Sequence, residues 1–411
     1  MRILFLAHRI PYPPNKGEKI RAYHELEFLA ARHAIDLFCL ADSPAEAEGV
    51  QGLRKLCRRV HVETRSPVRV ALAMIRSLWR GQPLSSAFYF SAKLQAAVQR
   101  TLAEEKYDLI LVYCSSMAQY VPQPAPAPVV IDFVDTDSAK WAQYARVTPF
   151  PLSWLYAREA RCLAQYERQV AGTSAASVVA TPQEAALLDG NGQLPVQVIR
   201  NGVCPLPASN SELPEPVRRL QPYVLFVGTM DYLPNMDAVS YFAEEILPQV
   251  RRSHPELRFV IAGRNPAWRV RRLAHKPGVV VTGAIADVHP YLLGATAVVA
   301  PFRICQGVQN KILEALAAGV PVVSTSRPAQ AIGARHAETL LIADNAEDFS
   351  RAVNSLLEDP GLRSRFRTTP EFVQKHFDWH KNLARLEQLL ENLASLPQKV
   401  EMGVPNRAEA S

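Results

Sequence analysis

The stretch Ala297-Val-Val-Ala-Pro-Phe-Arg-Ile-Cys-Gln-Gly-Val-Gln-Asn-Lys-Ile-Leu-Glu-Ala-Leu-Ala-Ala-Gly-Val-Pro-Val-Val323 decides how the rest of the chain is read. The uncharged run ahead of Pro301 has the composition of a buried strand. Gly307 breaks the loop after it, a helical pattern starts near Val308, and Gly319-Val-Pro321 turns the chain into a second apolar run. Strand, loop, helix and strand in that order are one unit of a parallel α/β sheet. A helix that starts after a glycine loop presents free N–H groups and the positive end of its dipole, which suits a diphosphate. Lys311, one turn in, adds a point charge. Glu314, three residues on, can accept hydrogen bonds from ribose hydroxyls. An ordinary amphipathic helix with a solvated Lys311–Glu314 pair would look the same, so helix chemistry alone leaves both readings open.

Working outward, the same alternation fills the chain. Strands are expected at Arg2–Ala7, Ile35–Cys39, Val60–Glu63, Leu109–Val112, Val129–Phe133, Ser177–Ala180 and Val196–Ile199. After the proline-rich segment Cys204–Gln221 they restart at Tyr223–Val227, Arg258–Ala262, Val279–Thr282, Ala297–Ala300 and Val320–Ser324. Helices are expected at Lys19–Arg32, Ala92–Glu104, Leu155–Ala171 and Asn382–Leu396. This divides the 411 residues into a first Rossmann-like domain (1–203), a linker (204–221) and a second Rossmann-like domain (222–375). C-terminal helices (376–396), which could cross back to the first domain, and a disordered tail (397–411) follow. Two α/β halves on a linker imply a cleft, with ligand loops at the carboxyl ends of the strands.

Composition narrows the function. Lys+Arg 46 against Asp+Glu 39 leaves +7, too mild for a nucleic-acid binder without a basic stripe but suited to an anionic ligand or membrane surface. The 6 cysteines form no C-x-x-C, which argues against a structural zinc or a disulfide framework and for a reducing cytoplasm. No transmembrane segment is expected. The segment Val68–Arg80 combines an apolar pattern and Trp79 with Arg69, Arg76 and Arg80. It reads either as a helix lying on an anionic membrane or as one packed over the sheet.

Six ordered motifs resemble the GT-B glycosyltransferases of family 4. The donor-site stretch resembles that family's E-x7-E followed by A-x-A-x-G-x-P-V-V. Val198-Ile-Arg-Asn-Gly-Val203 resembles its I-P-N-G-V hinge, Leu225-Phe-Val-Gly228 and Phe259-Val-Ile-Ala-Gly263 its first second-domain strands. Val279-Val-Val-Thr-Gly283 resembles the strand whose loop holds the base, and Pro11-Tyr-Pro-Pro-Asn-Lys-Gly17 the first glycine loop. Details such as Gly228-Thr-Met-Asp-Tyr-Leu-Pro-Asn235 and Val134-Asp-Thr-Asp-Ser-Ala-Lys-Trp141 resemble sugar transferases of exosortase and exopolysaccharide systems.

The resemblance implies an α/β GT-B fold, two Rossmann-like domains facing each other across a cleft. It also implies transfer of a sugar, with retention, from a nucleotide-diphosphate donor to a glycan or lipid-linked acceptor, without metal or other cofactor. Expected donor-side residues are Gly17, Arg264, Ile285, Arg303, Gly307, Val308, Gln309, Lys311 and Glu314, with Gln306 at the donor sugar. His8, Lys16 and Lys19 are expected on the acceptor side. Asp135 replaces the His that many relatives carry, so it faces the acceptor hydroxyl, or else it caps the next helix; Asp137 or Ser138 is the other candidate cap. Asp132, His289 and Tyr291 read as structural.

The sequence also departs from the pattern. The first Glu of E-x7-E is Gln306, and the places of the family's diphosphate-clamping Arg and Lys fall on Thr229 or Met230 and on Asn235. Two rivals follow: a non-catalytic nucleotide-sugar-binding subunit of a polysaccharide assembly complex, or a GT-B nucleotide-sugar epimerase. The expected location is the cytoplasm, at the inner face of the plasma membrane where the acceptor is lipid-linked.

Overall fold

A computed structural model describes residues 1–14, 17–43, 46, 48–204 and 212–396. Lys16, part of the linker and the expected tail lie outside the described residues. The first sheet is built from β1 (Arg2–Ala7), β2 (Ala34–Ala41), β3 (Arg59–Thr64), β4 (Leu109–Tyr113), β5 (Val129–Asp132), β6 (Ala176–Val179) and β7 (Val196–Val198). Its order is β3-β2-β1-β4-β5-β6-β7. The second comprises β8 (Tyr223–Val227), β9 (Arg258–Ala262), β10 (Val279–Gly283), β11 (Ala297–Ala300), β12 (Val322–Ser324) and β13 (Leu341–Ile342), ordered β10-β9-β8-β11-β12-β13. Every strand pair in both sheets is parallel. Each sheet therefore reverses its strand order once, between β1 and β4 and between β8 and β11, and ligands of such sheets collect at those points.

The helices used below are α1 (Gly17–Ala30), α2 (Pro67–Trp79), α3 (Ala92–Glu104), α4 (Asp137–Val147), α5 (Leu152–Thr173), α6 (Pro182–Leu188), α7 (Leu233–Tyr241), α8 (His289–Gly294), α9 (Asn310–Ala317) and α10 (Trp379–Ala394). Strands covered on both faces read as continuous apolar runs. On β1, Ile3, Phe5 and Ala7 join one core with Leu26 and Leu29 of α1, while Leu4 and Leu6 join another with Leu94 and Val98 of α3. A third core encloses the second sheet.

The last helix returns to the first core, where Trp379, Leu383, Leu386 and Leu390 pack. Its start fits the hinge closely, since a Cβ on Gly202 would fall 2.4 Å from the Trp379 ring. Beneath the hinge, the buried Arg21 pairs with Asp132 (2.5 Å) and Glu25 (2.9 Å). Arg21 also donates to Ile199 O and Asn201 Oδ1, both at 2.8 Å. One guanidinium thus ties α1, β5 and the exit from the first domain together.

Of the strands expected, four have the observed bounds and the others shift by one or two residues at one or both ends. The two-residue β13 has too short an apolar run to be read. The helix expected near Val308 starts at Asn310, with Gln309 as its cap residue. Neither Asp137 nor Ser138 is the cap of α4, a correction: Thr136 holds that position, and Ser138 N donates instead to Glu167 Oε1 (3.2 Å).

Candidate active site between the two domains

The carboxyl ends of both sheets meet across one cleft. From the second domain come the β8 end, at Gly228, and the 301–309 loop after β11. At the β8 end a Cβ on Gly263 would fall 1.6 Å from Gly228 O, so the two strand ends touch only because Gly263 lacks a side chain, while a Cβ on Gly228 would fall 2.7 Å from Asn235 Nδ2 and 3.0 Å from Lys311 Nζ. Beside Gly228, Lys311 Nζ donates to Asn235 Oδ1 (2.7 Å) and lies over the rings of Phe226 (4.3 Å) and Phe302 (4.8 Å). Burial among these rings pulls its pKa down to about 7. Asn235 is held in turn by its Nδ2 donating to Thr229 O (2.9 Å). Glu314, one turn on, has its pKa raised by burial, against the pull of Lys311.

Two helix N-termini face each other here. A Cβ on Gly17, the first residue of α1, would approach Asn310 Nδ2, at the start of α9, to 3.9 Å. One helix start from each domain thus borders the cleft, and backbone amides at a helix start suit an anion. Val308 and Ile285 pack against the third core, that of the second sheet, and Gln309 Nε2 donates to Gln306 O (3.4 Å).

From the first domain come the ends of β1, β4 and β5. His8 is buried, stacked on Tyr113 at 5.9 Å, and burial drops its pKa to about 4, so it is a neutral imidazole. Val134 follows β5 with φ 64, a conformation a β-branched residue adopts only when the surroundings impose it. That backbone delivers Asp135 to the second domain: a Cβ on Gly307 would fall 1.8 Å from Asp135 Oδ1. Burial, and then the neighbouring Glu184 carboxyl, push the Asp135 pKa well above the usual carboxylate range.

Gln306 lies in the same contact. Its Nε2 donates to Glu184 Oε1 (3.3 Å), and its Oε1 accepts from Gln143 Nε2 (3.1 Å). Gln143 Oε1 in turn accepts from Cys305 N (2.9 Å).

Other expected residues are engaged elsewhere. Arg303 leaves the 301–309 loop and pairs with Asp237 of α7 (2.5 Å), over Tyr241 at 4.6 Å. Lys19, expected as a positive charge toward the acceptor, is buried against Glu46 at 2.5 Å. Arg264 follows β9, where its carbonyl accepts from Met230 N (2.9 Å). Three residues escaped the sequence reading. Glu184 was hidden in Thr181-Pro-Gln-Glu184, the pattern of a capping box; Thr181 Oγ1 does accept from Glu184 N (3.2 Å). Gln143 and Glu167 carry no local signal, because each works on a partner far along the chain.

Comparison with known proteins fits this geometry. The chain superposes on the sucrose-phosphate synthase of Thermosynechococcus elongatus with TM-score 0.68 at 18% identity, over 96% of this chain and 99% of that one. The Anabaena protein HepE, solved in complex with UDP and glucose, gives 0.66 at 16% identity over 96% and 100%. WaaG, a glycosyltransferase involved in lipopolysaccharide biosynthesis, gives 0.66 at 18% over the same shares. The fold is GT-B. Residues 221–359, the second domain of this GT-B chain, match the family described as glycosyl transferases group 1, in keeping with the resemblance read from its motifs. A curated relative is an uncharacterized 44.6 kDa protein in the cps region of Klebsiella pneumoniae, 20% identical over 92% of this chain and 97% of its own length.

Proposed function

We propose that the chain is a glycosyltransferase that moves a sugar, with retention, from a nucleotide-diphosphate donor to a glycan or lipid-linked glycan acceptor in the synthesis of a bacterial exopolysaccharide or cell-surface polysaccharide. One observation carries the reading: a first-domain carboxyl, Asp135, lies against the second-domain loop that leads into α9 and Lys311. A sugar bound beside Asp135, on the side of Lys311, has the diphosphate on one side and, on the other, a carboxyl that can hydrogen-bond it or, once ionised, stabilise developing positive charge. The amides of the α9 N-terminus and Lys311 stabilise the departing diphosphate, so the proposed reaction uses no resident metal. Glu314 holds the ribose, the loop around Ile285 the base, and Gly307–Val308 the donor sugar. UDP-sugar binding by a neighbour of this fold and the cps location of a relative support the substrate class.

The proposal includes an anionic membrane surface as the place of action. No helix among the described residues is long and apolar enough to cross a membrane. On α2 only Ser77 is buried, while Val68, Leu72, Ile75 and Trp79 are 55–87% exposed. No Asp or Glu occurs between Glu63 and Glu104, a span that holds Arg69, Arg76 and Arg80. Arg158 of α5 fastens the end of this helix by donating to Ser77 O and Leu78 O, and exposed Phe150 and Trp154 precede it. An amphipathic face whose own segment carries cations and no acidic residue suits an anionic bilayer at the cytoplasmic side.

The test is a thermal-shift and turnover panel of UDP, GDP and ADP with their sugar conjugates, on wild type and Glu314→Ala. A ligand at about 100 times its Kd adds roughly 2.7 kcal/mol of stability. The expected result is a shift with one base, lost in the variant, and slow donor hydrolysis without acceptor. A shift without hydrolysis or transfer would favour a binding subunit, and no shift with any nucleotide overturns the proposal.

A further inference from the structure

The amide of Gln306 is used at both ends, and both partners belong to the other domain. Its oxygen accepts from Gln143 Nε2 (3.1 Å), so its nitrogen is left to donate to Glu184 Oε1 (3.3 Å). Glu184 is 0% exposed. Its carboxyl also accepts from Thr136 N (3.2 Å) and Thr181 Oγ1 (3.1 Å), and bonds Asp135. The loop that precedes α4 and the loop that leads into α9 are therefore joined through one buried carboxyl.

We propose that Gln306 and Glu184 form a latch between the domains, in which Glu184 is the positioning residue that seats the donor loop and Asp135 against each other. The inference rests on the transferase reading only for what the closed cleft is used for. It explains a departure from the family pattern. A carboxylate at 306 would bring a third acidic group to Asp135 and Glu184 in a buried site, with no donor between it and Glu184. An amide supplies that donor without charge. Gln306 and Glu184 are complementary as a pair, and Gly307 beside them admits no side chain, because its Cβ would overlap Asp135 Oδ1.

Complementarity of a pair is tested by exchanging it. Gln306→Glu alone should open the cleft, read as an increased radius of gyration in small-angle X-ray scattering. It should also lower kcat at least tenfold with little change in the Kd for nucleoside diphosphate. Glu184→Gln alone can still turn its amide oxygen to Gln306 Nε2 and Thr136 N, and should scatter and turn over close to wild type. The double variant Glu184→Gln/Gln306→Glu restores one donor and one acceptor, and should recover closure and most of kcat. That is a coupling of tenfold or more, about 1.4 kcal/mol. Circular dichroism on all four proteins shows that each is folded. The latch is overturned if Gln306→Glu scatters like wild type, or if the double variant is no better than the worse single. Should no nucleotide sugar be turned over, the transferase reading fails while the scattering comparison still decides the latch.

Discussion

Binding of a nucleoside diphosphate at the α9 amino terminus should draw a proton onto Lys311. In the free protein the ammonium lies over Phe226 and Phe302 and donates to the neutral Asn235, and burial brings its pKa to about 7 against the weaker pull of Glu314. A phosphate charge at about 4 Å, at an effective dielectric near 20, favours the ammonium by about 4 kcal/mol, or roughly three pKa units. Bound Lys311 then titrates near 10. At pH 8 free Lys311 is about nine-tenths neutral and binding takes up about 0.9 proton; at pH 6 it takes up about 0.1. Affinity should weaken about tenfold from pH 6 to pH 8 by this route alone.

The assay is isothermal titration calorimetry of UDP, or of whichever nucleoside diphosphate binds. It is run at each pH in two buffers of different ionisation enthalpy, with Lys311→Met as the baseline. Methionine keeps the apolar stem between the two rings and removes the titration, so protons taken up by the phosphate itself cancel in the difference. If wild type takes up no more protons at pH 8 than Lys311→Met, the desolvated-lysine account is wrong. The same shift has a folding consequence. Since the folded pKa lies below the usual 10.5, the unfolded chain binds more protons between about pH 7 and 10.5. Stability relative to Lys311→Met should therefore rise with pH across that window and be flat below it.

Three further outcomes are expected. Arg21→Met leaves Asp132 and Glu25 buried without their cation, and should cost about 3–5 kcal/mol in denaturant unfolding; a loss under 1 kcal/mol would mean that the hinge network is dispensable. Gly307→Ala must carry φ 66 and a Cβ 1.8 Å from Asp135 Oδ1. The loop has to move by an ångström or so, and kcat should fall about 100-fold while nucleotide Kd changes little. Leu72→Glu with Ile75→Glu on α2, at 62% and 55% exposure, should abolish flotation with phosphatidylglycerol-containing vesicles without lowering the unfolding midpoint. Equal flotation with purely zwitterionic vesicles would argue against the anionic surface.

Most of the architecture was legible because parallel strands buried on both faces are written as uninterrupted apolar runs, so Leu109–Tyr113 and Ala297–Ala300 announce themselves. The loop into α9 was legible for a similar reason: glycine, helix start, lysine and glutamate are local in sequence. What escaped depends on contacts between distant residues. Glu184 meets Gln306 across 122 positions, and Gln143 meets Cys305 across 162. Arg303 and Lys19 erred in the opposite sense. Both stand at the edge of the cleft by sequence position, but Asp237 and Glu46 draw them away from it.

The same contacts bear on how the departures from the family pattern are to be judged. Asn235 stands where the resemblance places a lysine of the diphosphate clamp, and its loss suggests a weakened site. Its Oδ1 is, however, the 2.7 Å acceptor that aims Lys311 beside Gly228. Restoring the charge with Asn235→Lys would set a second ammonium against the first in a desolvated niche, where like charges lower each other's pKa. The variant should therefore bind nucleoside diphosphate no more tightly than wild type at pH 8. Asn235→Ala, which removes the acceptor without adding charge, should weaken binding by letting Lys311 turn away. If Asn235→Lys instead binds about tenfold more tightly, the aiming role of Asn235 is wrong, and the site has lost a charge that the rest of the protein does not replace.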